Sequence, residues 1–186
     1  MENVTKPLIL SCSPHFHSVY TTNRAMLEVT LACLPAAIAG IYFFGLRALM
    51  VIAASVIGAC AAEWISIKIM KRPATIADGS AVLTGLLLAL CLPPALPVWM
   101  AALGSVFAIV IGKQVFGGLG QNIFNPAHIG RALLLASFPV QMTVWTAPAG
   151  LAVDAVTMAT PLAALKTGAM AELPSLGQMV IGQIGG

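Results

Sequence analysis

From residue 25 to residue 138 the charged side chains are Glu28, Arg47, Glu63, Lys68, Lys71, Arg72, Asp78, Lys113 and Arg131, and the stretches between them are apolar. Runs of that length do not fit the core of a small soluble domain. In hydrocarbon a backbone has no water to bond, so each such stretch must satisfy its own N–H and C=O groups as helix. Only 8% of the chain is charged and 59% is hydrophobic, where soluble domains carry roughly a quarter charged residues. The chain therefore reads as an all-α integral membrane protein whose first partner is the lipid bilayer. Its net charge of +3 is carried by basic residues near the ends of apolar runs, so nucleic acid is not an expected partner.

The apolar runs set the expected spans. Residues 25–44 and 48–70 each approach the ~20 residues that cross a ~30 Å hydrocarbon core, and Gly45-Leu46-Arg47 turns the chain between them. The third run, residues 81–92, follows Asp78-Gly79-Ser80 and stops at Pro93-Pro94. About a dozen helical residues rise only ~18 Å, so this element is expected to be a broken helix or to enter the membrane as irregular backbone. A fourth span covers 98–112 and ends at Lys113, and a fifth covers 127–138. A cytoplasmic arm (1–23) precedes the membrane domain (24–139), an outer-face segment follows (140–175), and residues 176–186 begin a sixth span. Five spans with a broken third element look like one half of an inverted repeat, a common transporter plan. On this reading the 186 residues are the N-terminal half of a longer subunit.

Charge places the ends. With the N-terminus inside, the inner side holds Lys6, Arg24, Lys68, Lys71, Arg72 and Lys113, and the outer side holds Arg47 and Lys166. The positive-inside rule supports that orientation, which puts residues 140–175 on the outer face.

Within the spans a few polar residues stand out. Glu63 lies about two turns from the basic end of span two. A mid-membrane carboxylate costs roughly 2.5–3.5 kcal/mol on insertion scales, so it either reaches the interface, pairs with a lysine, or lines an ion pathway. Asp78 sits at the break before the third run. Arg131, one turn into span five, either snorkels to the near interface or holds a phosphate or carboxylate in the core. The stretch Phe116-Gly117-Gly118-Leu119-Gly120-Gln121-Asn122-Ile123-Phe124-Asn125-Pro126 is either a flexible turn or a place of close backbone approach. The four cysteines are far apart and form no Cys-x-x-Cys, a pattern that disfavours iron–sulfur and zinc sites in this chain. No metal ligand set is expected.

Past the spans lies Asp154-Ala155-Val156-Thr157-Met158-Ala159-Thr160-Pro161-Leu162. A spacing of three puts Asp154, Thr157 and Thr160 on one face if the segment is helical; the same residues also suit an N-cap and turn. The pattern Asp-x-x-Thr-x-Ala-Thr resembles the acceptor sequence of flavin transferases. With Pro-Leu following, and with Asp78-Gly79-Ser80-Ala81, Thr84 to Leu90, Pro93-Pro94, Phe116 to Ala127 and Gly130-Arg131-Ala132, the chain resembles the D subunit of the Rnf electron-transport complex. The B subunit of the sodium-pumping NADH:quinone reductase is a relative of that family. Met158 departs from the commoner glycine.

The resemblance implies a urea-transporter-like fold of two five-helix halves. It implies FMN joined as a phosphoester to Thr160, with Asp154, Thr157 and Ala159 as the recognition sequence, and riboflavin as a second candidate cofactor. It implies an electron-transfer subunit of a ferredoxin:NAD-type, ion-translocating complex in the bacterial inner membrane. Its partners would be the other subunits and a flavin transferase, and no side chain here would serve as acid, base or nucleophile. The alternative is a permease or channel of the same fold, lined by the broken helix and Asp78, without a redox cofactor.

Overall fold

The computed structural model describes residues 20–71 and 76–144, with residues 146, 166, 168, 175 and 177 beyond them. The N-terminal arm up to residue 19, the motif at 154–160 and most of 176–186 lie outside the described residues. The elements among the described residues are helical: α1 (Thr22–Phe44), α2 (Leu46–Met70), a single 3₁₀ turn (Ile76–Asp78), α3 (Ser80–Leu90), α4 (Val98–Ile109), a π-helical turn (Val110–Gln114), α5 (Pro126–Ser137) and α6 (Pro139–Thr143).

Local chemistry sets these boundaries. Thr21 caps α1 by accepting a hydrogen bond from the Arg24 amide at 3.3 Å, as hydroxyl N-caps do. Arg24 and Glu28, four residues apart on α1, pair at 3.0 Å on the exposed first turns, the spacing that puts two side chains side by side on a helix. Gly45 closes α1 with its amide on the Ile41 carbonyl and is also the cap from which α2 starts, so a single residue joins the first two helices. Asn125 caps α5 by accepting from the Ala127 amide at 3.0 Å, with Pro126 in the first turn, where its missing N–H is harmless.

α1 and α2 are long and apolar enough to cross a membrane. Their outer faces are as hydrophobic as the interior: Tyr42 is 81% exposed and Ile69 74%. Such a surface is stable against lipid and not against water. α3 has 11 residues, a rise of only ~16 Å, in keeping with the expected short third element. The fourth helix runs past its expected end at 112, because the chain stays helical through the π turn to Gln114.

The bundle packs in two layers. At one end a bulky cluster joins Val51, Leu88, Leu92, Met100, Leu134 and Met142 from five helices, and Trp99 meets Phe138 edge-on at 5.5 Å between ring centroids. Toward the other end Ala59, Ala62, Ala81 and Ile109 form a smaller cluster. Small residues let the backbones approach: a Cβ on Gly85 of α3 would stand 2.7 Å from the Val56 Cα of α2. A Cβ on Gly130 of α5 would likewise stand 2.6 Å from the Gly104 carbonyl oxygen of α4. Packing of this kind drives helix association where lipid removes the hydrophobic incentive.

Gly85→Ala therefore forces the α2–α3 crossing apart and is expected to cost about 1–3 kcal/mol. Gly40→Ala on α1, where a Cβ meets nothing within 4 Å, is expected to be neutral or stabilising by up to ~1 kcal/mol. Unfolding temperatures of the two variants in detergent compare the effects directly.

Candidate functional site

The second layer opens onto a buried polar network built from three separate parts of the chain. Glu63 comes from α2, seven residues before its end at Met70, about 10 Å along the axis. Ser80 is the first residue of α3, and Asp78 ends the 3₁₀ turn before it. Lys113 and Gln114 come from the π turn.

The contacts run in a chain. Lys113 Nζ donates to Glu63 Oε1 at 2.5 Å and to Ser80 Oγ at 2.5 Å. Ser80 Oγ donates in turn to Asp78 Oδ1 at 2.5 Å. Gln114 Nε2 donates to Glu63 Oε1 at 3.3 Å. Glu63 is fully buried, and Lys113 and Gln114 are nearly so, at 1% and 2% exposure.

The π turn is what brings Lys113 inward. Its amides reach back five residues, Val115 to the Val110 carbonyl and Gly118 to that of Lys113, both at 3.0 Å. Gly112, Lys113 and Gln114 are consecutive and all buried, an arrangement that needs α2 and α3 on one side and α5 on the other. Gly112 faces α5, where a Cβ would stand 2.9 Å from the Pro126 Cα, and Lys113 faces Glu63. Single π turns of this kind recur at functional sites.

Asp78 has two jobs in this geometry. Its Oδ1 accepts from the Ser80 amide at 2.8 Å as well as from the Ser80 hydroxyl. It thus caps α3 with a negative charge, favourable at a helix N-terminus. Gly79 between them takes φ +76, a left-handed conformation open to glycine at little cost.

These positions resolve several expectations. Glu63 does not reach the interface; it is sealed in and paired with a lysine fifty positions away in sequence. Lys113, counted among the inner-side cations from the sequence, is a correction: it is a core residue. Without it the inner side still leads by five basic residues to two. Asp78 joins the network through Ser80, whereas Asn125 and Arg131 do not. Asn125 caps α5, and Arg131 is exposed on that helix. Thr160, Asp154, Thr157 and Ala159 lie outside the described residues. Lys113, Ser80 and Gln114 were missed as site residues. Their one sequence signal was a lysine adjoining an apolar run with a carboxylate in a neighbouring run.

Replacing Asp78 by Ala removes the α3 cap and is expected to cost about 1 kcal/mol, whereas Asp78→Asn, which can still accept from the Ser80 amide, should lose only part of it. The unfolding temperatures of the two variants in detergent measure the difference.

A profile of the NQR2, RnfD, RnfE family matches residues 9–186. The chain is 52% identical over 157 residues to the D subunit of the proton-translocating ferredoxin:NAD(+) oxidoreductase complex of Clostridium ljungdahlii, covering 84% of this chain and 47% of that protein. It is 52% identical over 169 residues to the D subunit of the Na(+)-translocating ferredoxin:NAD(+) oxidoreductase complex of Acetobacterium woodii, covering 90% and 52%. It is 47% identical over 161 residues to the D subunit of the ion-translocating oxidoreductase complex of Escherichia fergusonii, covering 86% and 46%. The chain thus spans about half the length of these curated relatives. With a profile match that runs through every helix described above, this chain belongs to the NQR2, RnfD, RnfE family.

Proposed function

We propose that the chain is part of a membrane subunit of an ion-translocating oxidoreductase complex of the ferredoxin:NAD type, and that it carries FMN as a phosphoester on Thr160. The observation that carries this reading is the sequence Asp154-x-x-Thr157-x-Ala159-Thr160 on a chain of this family. The relatives are named as the D subunits of such complexes.

Bound FMN would supply one- and two-electron chemistry, while the protein's part is to hold the ring and tune its surroundings. Thr160 would be the attachment point, and Asp154, Thr157 and Ala159 would be read by the flavin transferase that loads it. Riboflavin would be a second, non-covalent cofactor. The five-span, inverted-repeat plan of urea-transporter type fits the short third helix and the two long apolar helices before it. The bacterial inner membrane, with the N-terminus inside and Thr160 on the outer side, fits the distribution of basic residues. Other subunits of the complex would be the electron donors and acceptors. Glu63, Asp78, Arg131 and Asn125 remain the membrane-site candidates, and burial with Lys113 singles out Glu63 as the residue best placed to meet an ion.

The test is in-gel flavin fluorescence of the denatured polypeptide, expressed with an active flavin transferase, beside Thr160→Ala. A fluorescent band that disappears completely in Thr160→Ala is the expected outcome. A dark band in both, with the transferase active on another acceptor, would overturn the redox reading and favour a permease.

A further inference from the structure

Beside the buried network, α2 and α4 leave a groove open to the membrane. Gly58, Ala62, Ser66 and Ile69 follow one another along it on α2, and Val106 and Val110 form its other wall on α4. From Gly58 to Ile69 it runs ~16 Å along the helix axis. That is the depth of one leaflet, half of a ~30 Å hydrocarbon core. A transmembrane helix docked here would need contact over the full thickness, whereas a lipid acyl chain needs only this much. An adjoining trough on α4, from Leu103 to Ile111, shares Val106 and Val110 with the groove, so two chains can lie side by side.

The end of the groove carries the polar groups. Ser66 is 7% exposed and lines the groove, and among the described residues its hydroxyl has no hydrogen-bond partner. A hydroxyl in apolar surroundings is costly until it finds one. Lys68 stands seven residues, two helical turns, beyond Ala61, which also lines the groove. Its Nζ lies 5.0 Å over the ring of Trp64, an exposed tryptophan of the kind that sits at headgroup level. Lys71, exposed, closes α2 with its amide on the Ile67 carbonyl. The described acidic groups of this end are engaged elsewhere: Glu28 with Arg24, Glu63 with Lys113 and Asp78 with Ser80. Two ammonium groups outweigh the roughly −0.5 charge of the helix C-terminus.

We propose that this groove is a binding site for an anionic phospholipid, with its acyl chains along α2 and α4, an ester carbonyl accepting from Ser66, and its phosphate held by Lys68 and Lys71. The order of the groups matches their depth. Ser66 lies five residues before Lys71, ~7.5 Å further into the membrane, as the ester of a glycerophospholipid lies below its phosphate. Basic pockets between transmembrane helices on the cytoplasmic side take anionic headgroups in this way, and this is the end that the distribution of basic residues places inside. The site uses neither Thr160 nor the buried network, so it stands or falls apart from the flavin reading.

The experiment uses the complete subunit in a neutral detergent, as wild type, Lys68→Gln/Lys71→Gln and Ala61→Phe. All three positions are exposed, so the variants should fold. Dioleoyl phosphatidylglycerol, dioleoyl phosphatidylcholine and inorganic phosphate are the probes. Native mass spectrometry counts the bound lipid, and the unfolding temperature reports its effect. Wild type should retain phosphatidylglycerol in preference to phosphatidylcholine and be stabilised by it, with no response to inorganic phosphate. The lysine variant should bind phosphatidylglycerol about fivefold more weakly for each lysine removed, the effect of one basic residue near an anionic surface, and should no longer prefer it. Ala61→Phe fills the groove and should lose both lipids. Unchanged binding in Ala61→Phe would reduce the effect to surface charge and overturn the proposal. An unchanged preference in the lysine variant overturns it as well. So does a wild type that retains no phosphatidylglycerol; a lowered unfolding temperature of lipid-free Ala61→Phe would then show that a protein segment covers the groove.

Discussion

The Lys113–Glu63 ion pair is the contact that the inner half of the bundle is arranged around. Two full charges are out of water, and neither can be left without the other: removing one partner of a buried pair typically costs about 3–5 kcal/mol. That couples α2 to the end of α4, and through Ser80 it couples both to the start of α3. Sliding α4 by one residue would carry the ammonium away from the carboxylate and expose both to hydrocarbon. The register of three helices is thus fixed at one point by electrostatics, where small apolar surfaces alone would tolerate several.

The rest of the packing permits this arrangement. Gly85 against α2 and Gly130 against α4 bring backbones close enough for short side chains to meet. Ala59, Ala62 and Ala81 beside the network leave room for a lysine to lie across the bundle. At the far end bulky residues fill the same cross-section. One end is therefore closed by bulky apolar packing, and the other by small residues around the buried ion pair.

The sequence alone determined the all-helical class, because apolar runs in hydrocarbon leave the backbone no other way to bond. It also marked the turn at Gly45 and the helix start at Pro126, for reasons local to those residues, and a third helix that stops short of Pro93-Pro94. The Arg24–Glu28 pair was legible too, being four residues apart on one helix. The acceptor motif around Thr160 was legible only as a pattern. What the tertiary structure decided was the fate of Glu63 and Lys113. They are fifty residues apart, so no local rule pairs them, and a lysine at the end of an apolar run reads as an interfacial anchor. Only the π turn, stabilised by helices packed on both sides of it, rotates that lysine into the core. A one-dimensional pattern carries the periodicity of a regular helix and cannot show where tertiary packing adds a residue to a turn.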